Sequence, residues 1–274
     1  MRILVLVKQV PGTSNVAVDP ERGTLRREGV PAKTNPYDLH ALEAAFQIRD
    51  ELGEIGAEVT VAALSMGPPQ AEAALRECYW MGADEGYLLT DRAFAGADTL
   101  ATAFTLSQAA RKIGFDLIIA GMQSTDGDTA QVGPGVAEFL DIPHVSYVRA
   151  IGRVGVDSIE VTADLGDRYL TQELRFPCLI TVTKDLNQPR LPSFRARKET
   201  AGRPVVILKP ADLPPLGGSD RLHGSGERYH GLAGSPTRVE KIFPPKVDRV
   251  KEKWEGPPSE LAARLAVLLK EVLP

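Results

Sequence analysis

The chain has 274 residues and a formal net charge of −4, and its acidic and basic residues are well mixed. This balance argues against nucleic acid or a membrane surface as the main partner. The apolar run at 3–7 is too short for a signal peptide or a membrane span, and no apolar stretch of about 18 residues follows it. We therefore expect a cytoplasmic protein without direct membrane insertion, long enough for one α/β domain with extensions.

Strand-like and helix-like segments alternate along the first half of the chain. The predicted strands lie at 2–7, 58–64, 86–89 and 116–120, and the predicted helices at 36–52, 68–81, 97–113 and 130–140. This alternation predicts an α/β fold with a parallel sheet that helices cover on both faces. In such sheets the ligand lies beyond the carboxyl ends of the strands.

The pattern changes in the second half. Four short strand-like segments, at 144–150, 156–163, 168–174 and 178–182, predict an antiparallel edge on the sheet. Residues 184–258 are rich in Pro, Gly, Arg and Lys with little periodicity, which predicts an arm that wraps around a partner or is partly disordered alone. Residues 259–273 predict an amphipathic helix. The predicted organisation is an α/β domain at 1–185, a docking loop and wrapping arm at 186–258, and a C-terminal helix at 259–274.

The most informative segment is the loop AGMQSTDGDTAQVGP at 120–134, between a predicted strand and a predicted helix. Its glycines allow a close backbone approach, and the N–H groups of residues 129–132 would face an anion at the helix N-terminus. The loop has no Lys or Arg and matches neither GxxxxGK[ST] nor GxGxxG. A phosphate would therefore be held mainly by backbone dipoles. The alternative is an ordinary turn-rich connection.

Other residues offer no evident acid–base or nucleophilic chemistry, so no catalytic side chain is predicted. Cys78 and Cys178 are expected to be small buried hydrophobes, and the four histidines have no metal-ligand spacing. Asp126 and Asp128 fit roles in the turn and in ribose binding, and Glu43 fits a solvated helix face. Any redox chemistry would have to come from a bound cofactor.

Five motifs, taken in order, resemble the beta subunit of electron-transfer flavoproteins nearly end to end. They are VLVKQVP at 5–11, NPYD at 35–38 with ALEA at 41–44, the loop at 121–134, NQPRLP at 187–192 and GLAGSPT at 231–237. The resemblance implies a doubly wound, mostly parallel α/β sheet that is Rossmann-like and binds an adenine nucleotide. It also implies that this subunit pairs with an alpha subunit carrying FAD. The beta-subunit site holds AMP in housekeeping members and a second FAD in electron-bifurcating members, including those linked to nitrogen fixation. The sequences DGDTAQVGP and GSPT resemble the bifurcating form.

The resemblance also implies roles for individual residues. Val7 and Lys8 would meet the nucleotide through their backbone, and Asn35 would hydrogen-bond the adenosine portion. The other residues implied to line the pocket or to hold ribose and phosphates are Leu64, Ser65, Met66, Gly121, Gln123, Ser124, Asp126, Gly127, Asp128, Thr129, Ala130, Gln131 and Val132. Leu191 matches the leucine that inserts into dehydrogenase partners; the alternative is that it packs on its own sheet. Arg190, Arg195, Arg197 and Lys198 would form a basic rim around it.

By resemblance, the expected function is electron transfer as the small subunit of a heterodimer. The bifurcating form would take electrons from NADH at its FAD. It would pass them to ferredoxin or flavodoxin and, through the alpha-subunit FAD, to an acyl-CoA or other dehydrogenase or a quinone reductase. One alternative is a non-bifurcating beta subunit that binds AMP. Another is a non-redox nucleotide-binding regulatory protein of similar fold. Two departures from the family stand out. The segment VTADLGDRYL at 161–170 matches the family only partly, and the stretch before Leu191 is shorter than in housekeeping members, which leaves the dehydrogenase partner open.

Overall fold

The computed structural model describes residues 1–12, 31–214, 229–240 and 252–272. The strands are β1 Arg2–Leu6, β2 Gln9–Pro11, β3 Ala32–Thr34, β4 Thr60–Met66, β5 Glu85–Leu89, β6 Leu117–Gly121, β7 His144–Val154, β8 Ser158–Asp164, β9 Tyr169–Arg175, β10 Cys178–Val182 and β11 Val206–Leu208. The α-helices are α1 Pro36–Glu54, α2 Glu72–Met81, α3 Thr99–Ile113, α4 Val132–Leu140, α5 Phe194–Glu199 and α6 Pro258–Val272.

One nine-stranded sheet organises the domain, in the order β11-β5-β4-β1-β6-β10-β7-β8-β9. Its neighbours are parallel from β11 to β7, whereas β8 and β9 add an antiparallel edge. The chain moves outward from β1 to β4 and β5, then crosses back to β6 on the other side of β1. The strand order therefore reverses between β1 and β6, and doubly wound sheets bind ligands at such a reversal. The predicted doubly wound, mostly parallel sheet with antiparallel edge strands is confirmed.

The central strands are apolar on both faces, because helices cover the sheet on each side. In β1, Ile3 and Val5 belong to the cluster packed with α1 and α2, while Leu4 and Leu6 belong to the cluster packed with α3 and α4. Such a continuous apolar run is typical of buried parallel strands. Cys78 and Cys178 are both buried and free, as predicted.

Two predictions about the second half of the chain were wrong. The segment at 178–182 was expected on the antiparallel edge, but β10 lies between β6 and β7 and is parallel to both. All five of its residues are buried, which is typical of a central strand. The segment at 184–258 was expected to be irregular, but it contains α5, and β11 extends the sheet beside β5. A strand of three residues is too short to produce a periodic signal.

The remainder of the predicted arm, at 215–228 and 241–251, lies outside the described residues. The division of the chain at 185 and 258 stays a prediction. The C-terminal helix is present as α6, and it exposes the apolar side chains Leu265, Val267, Leu268 and Leu269. In front of it, Trp254 stacks on Arg264 with the guanidinium 4.2 Å from the ring centroid. Within the described parts of the chain, no helix is long and apolar enough to cross a membrane.

Candidate functional site

The carboxyl ends of β1, β4 and β6 lie side by side, and the loop predicted to hold phosphates follows β6. The Val7 N–H donates to the Leu64 carbonyl at 2.8 Å, which ties the end of β1 to β4. The Met122 N–H donates to the Val182 carbonyl at 2.9 Å, which ties the start of the loop to β10. The predicted nucleotide residues from these three strand ends therefore meet at one edge of the sheet.

Asn35, the residue before α1, connects the N-terminal end of that helix to the loop through hydrogen bonds. Its side chain is 1% exposed, and its Nδ2 donates to Asp38 Oδ1 at 2.8 Å and to the Gln123 carbonyl at 2.9 Å. Its Oδ1 accepts the Thr125 N–H at 3.2 Å. The amide predicted to contact adenosine is thus engaged by the protein itself, and it acts on the loop that would surround the ligand.

Lys8 brings to the loop the positive charge that the loop lacks. Its Nζ lies 2.6 Å from Asp126 Oδ1 and 3.1 Å from Ser124 Oγ, and its backbone N–H donates to Asp38 Oδ2 at 2.7 Å. Burial on its own raises the pKa of Asp126, but Lys8 and Ser124 outweigh it and hold that pKa below its ordinary value. The backbone N–H groups of Val7 and Lys8 both have protein acceptors. Sequence reasoning assigned Lys8 a backbone role only and missed this ion pair.

Asp38 lies beneath this arrangement. Burial raises the pKa of its carboxyl to about 7, against the lowering effect of hydrogen bonds from Asn35, Lys8 and Gly121. Gly121 has no room for a side chain, since a Cβ there would collide with the Asp38 carboxylate and Tyr37. The sequence gives no sign that the acid of the NPYD motif is buried.

The loop backbone combines left-handed residues with N–H groups that no described protein atom accepts. Asp128 and Ala130 adopt φ values of 56° and 55°, a left-handed conformation that costs a residue such as Ala130 about 1 kcal/mol. Within the described chain, the N–H groups of residues 129–132 have no protein acceptor. Alternating backbone conformations of this kind form concavities that bind anions. Gly127 has an ordinary φ, and a Cβ there would meet only Ser124 Oγ at 3.5 Å, so neither backbone geometry nor packing within the protein demands glycine.

The remaining predicted site residues lie around the same edge. Leu64 and Ser65 are buried and Met66 is half-buried at the end of β4, and Ser65 Oγ has no hydrogen-bond partner among the described residues. Gln123 donates a short side-chain hydrogen bond to Asp128. Because Thr99 Oγ1 donates to Gln131 Oε1 at 3.1 Å, the loop is also tied to the start of α3.

The GLAGSPT segment at 231–237 packs against the same end of α3. Asp98 caps α3 through the Ala101 N–H and also accepts the Thr237 N–H at 3.1 Å and the Thr237 hydroxyl at 2.7 Å. The buried His230 ring contacts Phe94 edge-on, with 5.3 Å between the ring centroids. The motif therefore holds the returning chain next to the helix that touches the nucleotide loop.

A second candidate surface is the docking loop, which we define as residues 187–199. Leu191 is 87% exposed and Phe194 is 83% exposed. The alternative that Leu191 packs on its own sheet was therefore wrong. Phe194 was missed, although its spacing of three residues from Leu191 was visible in the sequence. Two neighbouring large apolar side chains in solvent are typical of a binding surface.

The base of the docking loop is fixed to α1. Arg190 Nε lies 2.8 Å from Glu43 Oε2 and its Nη2 lies 3.2 Å from Asp50 Oδ2, while its guanidinium covers the Phe46 ring at 4.8 Å. Glu43 is 5% exposed, so the expectation that it lies on a solvated helix face was wrong. Asn187 adds a hydrogen bond from its Nδ2 to the His40 carbonyl at 3.0 Å. Arg190 is thus an anchor rather than a free rim cation.

The other predicted rim residues lie on α5. Arg195 is exposed and pairs with Glu199 at 2.7 Å, and Arg197 lies over the Trp80 ring at 4.8 Å. Lys198 is exposed on the same short helix. Ser193 caps α5 through the Ala196 N–H, which fixes where the helix begins.

The fold is a doubly wound α/β domain with a loop of free N–H donors at its strand-order reversal, and comparisons with known proteins specify the family. A family described as the electron transfer flavoprotein domain matches residues 22–213. The chain is 48% identical over 256 residues to the electron transfer flavoprotein subunit beta of Thermoanaerobacterium thermosaccharolyticum, covering 93% of each chain. It is 44% identical over 273 residues to the caffeyl-CoA reductase-Etf complex subunit CarD of Acetobacterium woodii, covering 99% of this chain and 98% of that one.

The chain is also 40% identical over 282 residues to protein FixA of Sinorhizobium fredii, covering 97% of this chain and 93% of that one. It therefore belongs to the electron transfer flavoprotein family, as a beta subunit. Proteins of this family are associated with flavin, and their beta subunits normally pair with an alpha subunit.

Proposed function

We propose that this beta subunit binds FAD at the loop 121–132 and, together with its alpha subunit, bifurcates electrons from NADH. Bound there, FAD would supply the chemistry that accepts a hydride and releases single electrons. The acceptors would be ferredoxin or flavodoxin and, through the alpha-subunit FAD, an acyl-CoA or other dehydrogenase or a quinone reductase. The observation that carries the proposal is the set of unpaired N–H groups at 129–132, next to the strand-order reversal.

The residues present fit a dinucleotide. A pyrophosphate needs several backbone donors and a close approach to the backbone. The loop offers donors at 129–132 and open space at Gly127, where a Cβ would meet only Ser124 Oγ. Lys8 neutralises Asp126, so a second anion would not face an uncompensated carboxylate. Asp126 and Asp128 remain the residues proposed for the ribose.

A ligand longer than AMP is favoured by the loop sequence DGDTAQVGP, which resembles the bifurcating form, and by the similarity to FixA. AMP in this subunit, with FAD in the alpha subunit, is the second candidate.

Two exposed apolar surfaces suit protein partners. We assign Leu191 and Phe194 of the docking loop to the dehydrogenase or quinone reductase, since compact apolar anchors form binding hot spots. We assign α6 to the alpha subunit, because its exposed Leu265, Leu268 and Leu269 need a large apolar partner to cover them. The name of CarD describes that relative as part of a caffeyl-CoA reductase complex, which is the kind of assembly proposed here.

The test is the nucleotide content of the heterodimer. The chain is co-expressed with its alpha subunit, purified and denatured, and FAD and AMP are quantified by chromatography. Two FAD and no AMP per heterodimer, with flavin bleaching on addition of NADH, is the expected result. One FAD with one AMP would make the protein a simple electron shuttle and contradict the proposed role of the loop. Neither nucleotide in this subunit would favour a non-redox protein of similar fold.

A further inference from the structure

The carboxylate of Asp38 is buried beneath the candidate site, where it would contact neither a ligand nor a partner. It accepts the Lys8 N–H at 2.7 Å and Asn35 Nδ2 at 2.8 Å, and the backbone N–H of Gly121 also bonds to it. These three donors come from the end of β1, the residue in front of α1, and the end of β6. One side chain thus joins the two strands between which the strand order reverses.

The arrangement suits the carboxylate form. An ionised carboxyl group has only acceptor sites, whereas a protonated one carries an O–H in place of one of them, beside groups that themselves donate. Hydrogen bonds from N–H groups to a charged acceptor are stronger than those to a neutral one. Loss of the charge would therefore weaken the bonds to Asn35 and Lys8, both of which hold the loop through Gln123, Ser124 and other contacts.

The charged and titratable groups around the Asp38 carboxyl are Lys8, Cys78 and Glu77. Lys8 on the β1 side is the cation that favours the carboxylate, although its ammonium points to Asp126. On the α2 side lies the Cys78 thiol, whose pKa is raised by burial so that it stays neutral, with Glu77 beside it. Burial is the largest influence on Asp38 and raises its pKa to about 7.

We propose that Asp38 is a positioning residue whose ionised carboxylate holds Asn35 and the ends of β1 and β6 in the nucleotide-binding arrangement, so that nucleotide binding strengthens as Asp38 loses its proton. The inference rests on the proposed function, because it requires a nucleotide at the loop 121–132. It adds that the ionisation of Asp38 changes nucleotide affinity through the positions of Asn35 and the strand ends, without contact between Asp38 and the nucleotide.

Binding and fold stability should respond to pH in opposite directions. The pKa of Asp38 is higher in the folded protein than in the unfolded chain, so its stabilising contribution is complete below about pH 4 and is lost as the pH rises through about 7. Removing the charge should therefore leave the fold at least as stable at pH 8, while nucleotide binding weakens. A residue that served only the fold would lose stability and binding together.

The experiment uses the full-length chain freed of nucleotide and measures FAD binding by equilibrium dialysis between pH 6 and 8. FAD is the probe because its phosphodiester groups do not titrate in this range. If only the ionised form binds, the Kd of the wild type should be about tenfold weaker at pH 6 than at pH 8. Asp38→Asn, which carries no charge at any pH, should bind at least about tenfold more weakly than the wild type at pH 8, with no dependence on pH, and should unfold at an equal or higher denaturant concentration.

The matched control is Glu51→Gln, an exposed acid on the same helix, which should behave as the wild type. Wild-type affinity in Asp38→Asn, or a retained pH dependence, would overturn the inference while leaving the proposed function intact. Weakened binding with a matching loss of stability would also overturn it, because Asp38 would then be purely structural. If the wild type binds neither FAD nor AMP at any pH, the proposed function fails and the inference fails with it.

Discussion

Two regions differ in the groups that the protein leaves without a partner: the nucleotide edge, formed by the carboxyl ends of β1, β4 and β6 with the loop 121–132, and the docking loop. At the nucleotide edge, Asn35 and Asp38 have their polar groups engaged inside the protein, and the backbone donors of the loop are left over. In the docking loop, the half-buried Arg190 pairs with the buried Glu43 of α1, and the apolar side chains Leu191 and Phe194 are left in solvent. What each region leaves unsatisfied indicates what it binds: an anion in one case and an apolar pocket in the other.

The largest expected effect on nucleotide binding comes from Asn35→Ala, which removes the side-chain contacts between the start of α1 and the loop after β6. The change removes one donor from the buried Asp38 carboxylate, which keeps the Lys8 N–H, and it removes the partner of the Gln123 carbonyl and of the Thr125 N–H. A buried polar group that loses its partner costs about 1–3 kcal/mol. We expect FAD affinity to fall about 100-fold and the free energy of unfolding to fall as well. Dialysis and denaturant titration measure the two. The control is Gln47→Ala, an exposed amide on the same helix, and wild-type binding by Asn35→Ala would contradict the assigned role.

The second effect tests the anchor of the docking loop through Arg190→Ala. The nearly buried Glu43 would lose its cation, which should cost about 2 kcal/mol of folding stability, and Glu43→Gln should recover part of this loss. A double-mutant cycle of unfolding free energies gives the coupling between the two side chains. Nucleotide binding should not change, because Arg190 contacts α1 and not the loop 121–132. A coupling near zero would mean that the loop is held by Asn187 and His40 instead.

The third prediction concerns the apolar side chains of the docking loop. Leu191→Ala and Phe194→Ala should weaken binding of the partner protein and leave the free energy of unfolding unchanged. Both side chains are already in solvent, so truncation removes little buried area. If they are hot spots, KM for the dehydrogenase partner should rise about tenfold while kcat changes little. Ile55→Ala is a matched control, since Ile55 is 68% exposed and lies at the end of α1. Equal effects of Ile55→Ala would contradict a specific surface.

The sequence predicted the sheet well because its central strands are continuous apolar runs separated by long helices. It failed for β10, which is fully buried like a central strand but follows the antiparallel strands β8 and β9 in the chain. It failed for β11 because three residues carry no periodicity. Strand pairing depends on contacts between distant residues, and local pattern alone does not encode it.

For the candidate site, the sequence predicted which residues lie together but not the hydrogen bonds and ion pairs between them. The motif residues meet at one edge, yet the Lys8–Asp126 ion pair joins positions 118 apart, and no local pattern indicates it. The same holds for Glu43. Local sequence favoured a solvated position for this acid, whereas in the structure it pairs with Arg190, which is 147 positions away in the chain. Side-chain partners set by tertiary packing are the part that sequence reasoning could not supply.

The smallest expected effect concerns that ion pair. Lys8→Met keeps the length of the side chain and removes its charge, and the pair is partly exposed, so we expect about a threefold loss of FAD affinity. The loss should shrink as salt rises from about 0.05 to 0.5 M, because salt screens the charge of the wild type. Asp126→Asn should recover part of the affinity in Lys8→Met by removing the carboxylate left beside the phosphates. A loss of about 100-fold at low salt would instead mean that Lys8 contacts the phosphates itself, so that the nucleotide would be held by side-chain charge as well as by the backbone donors.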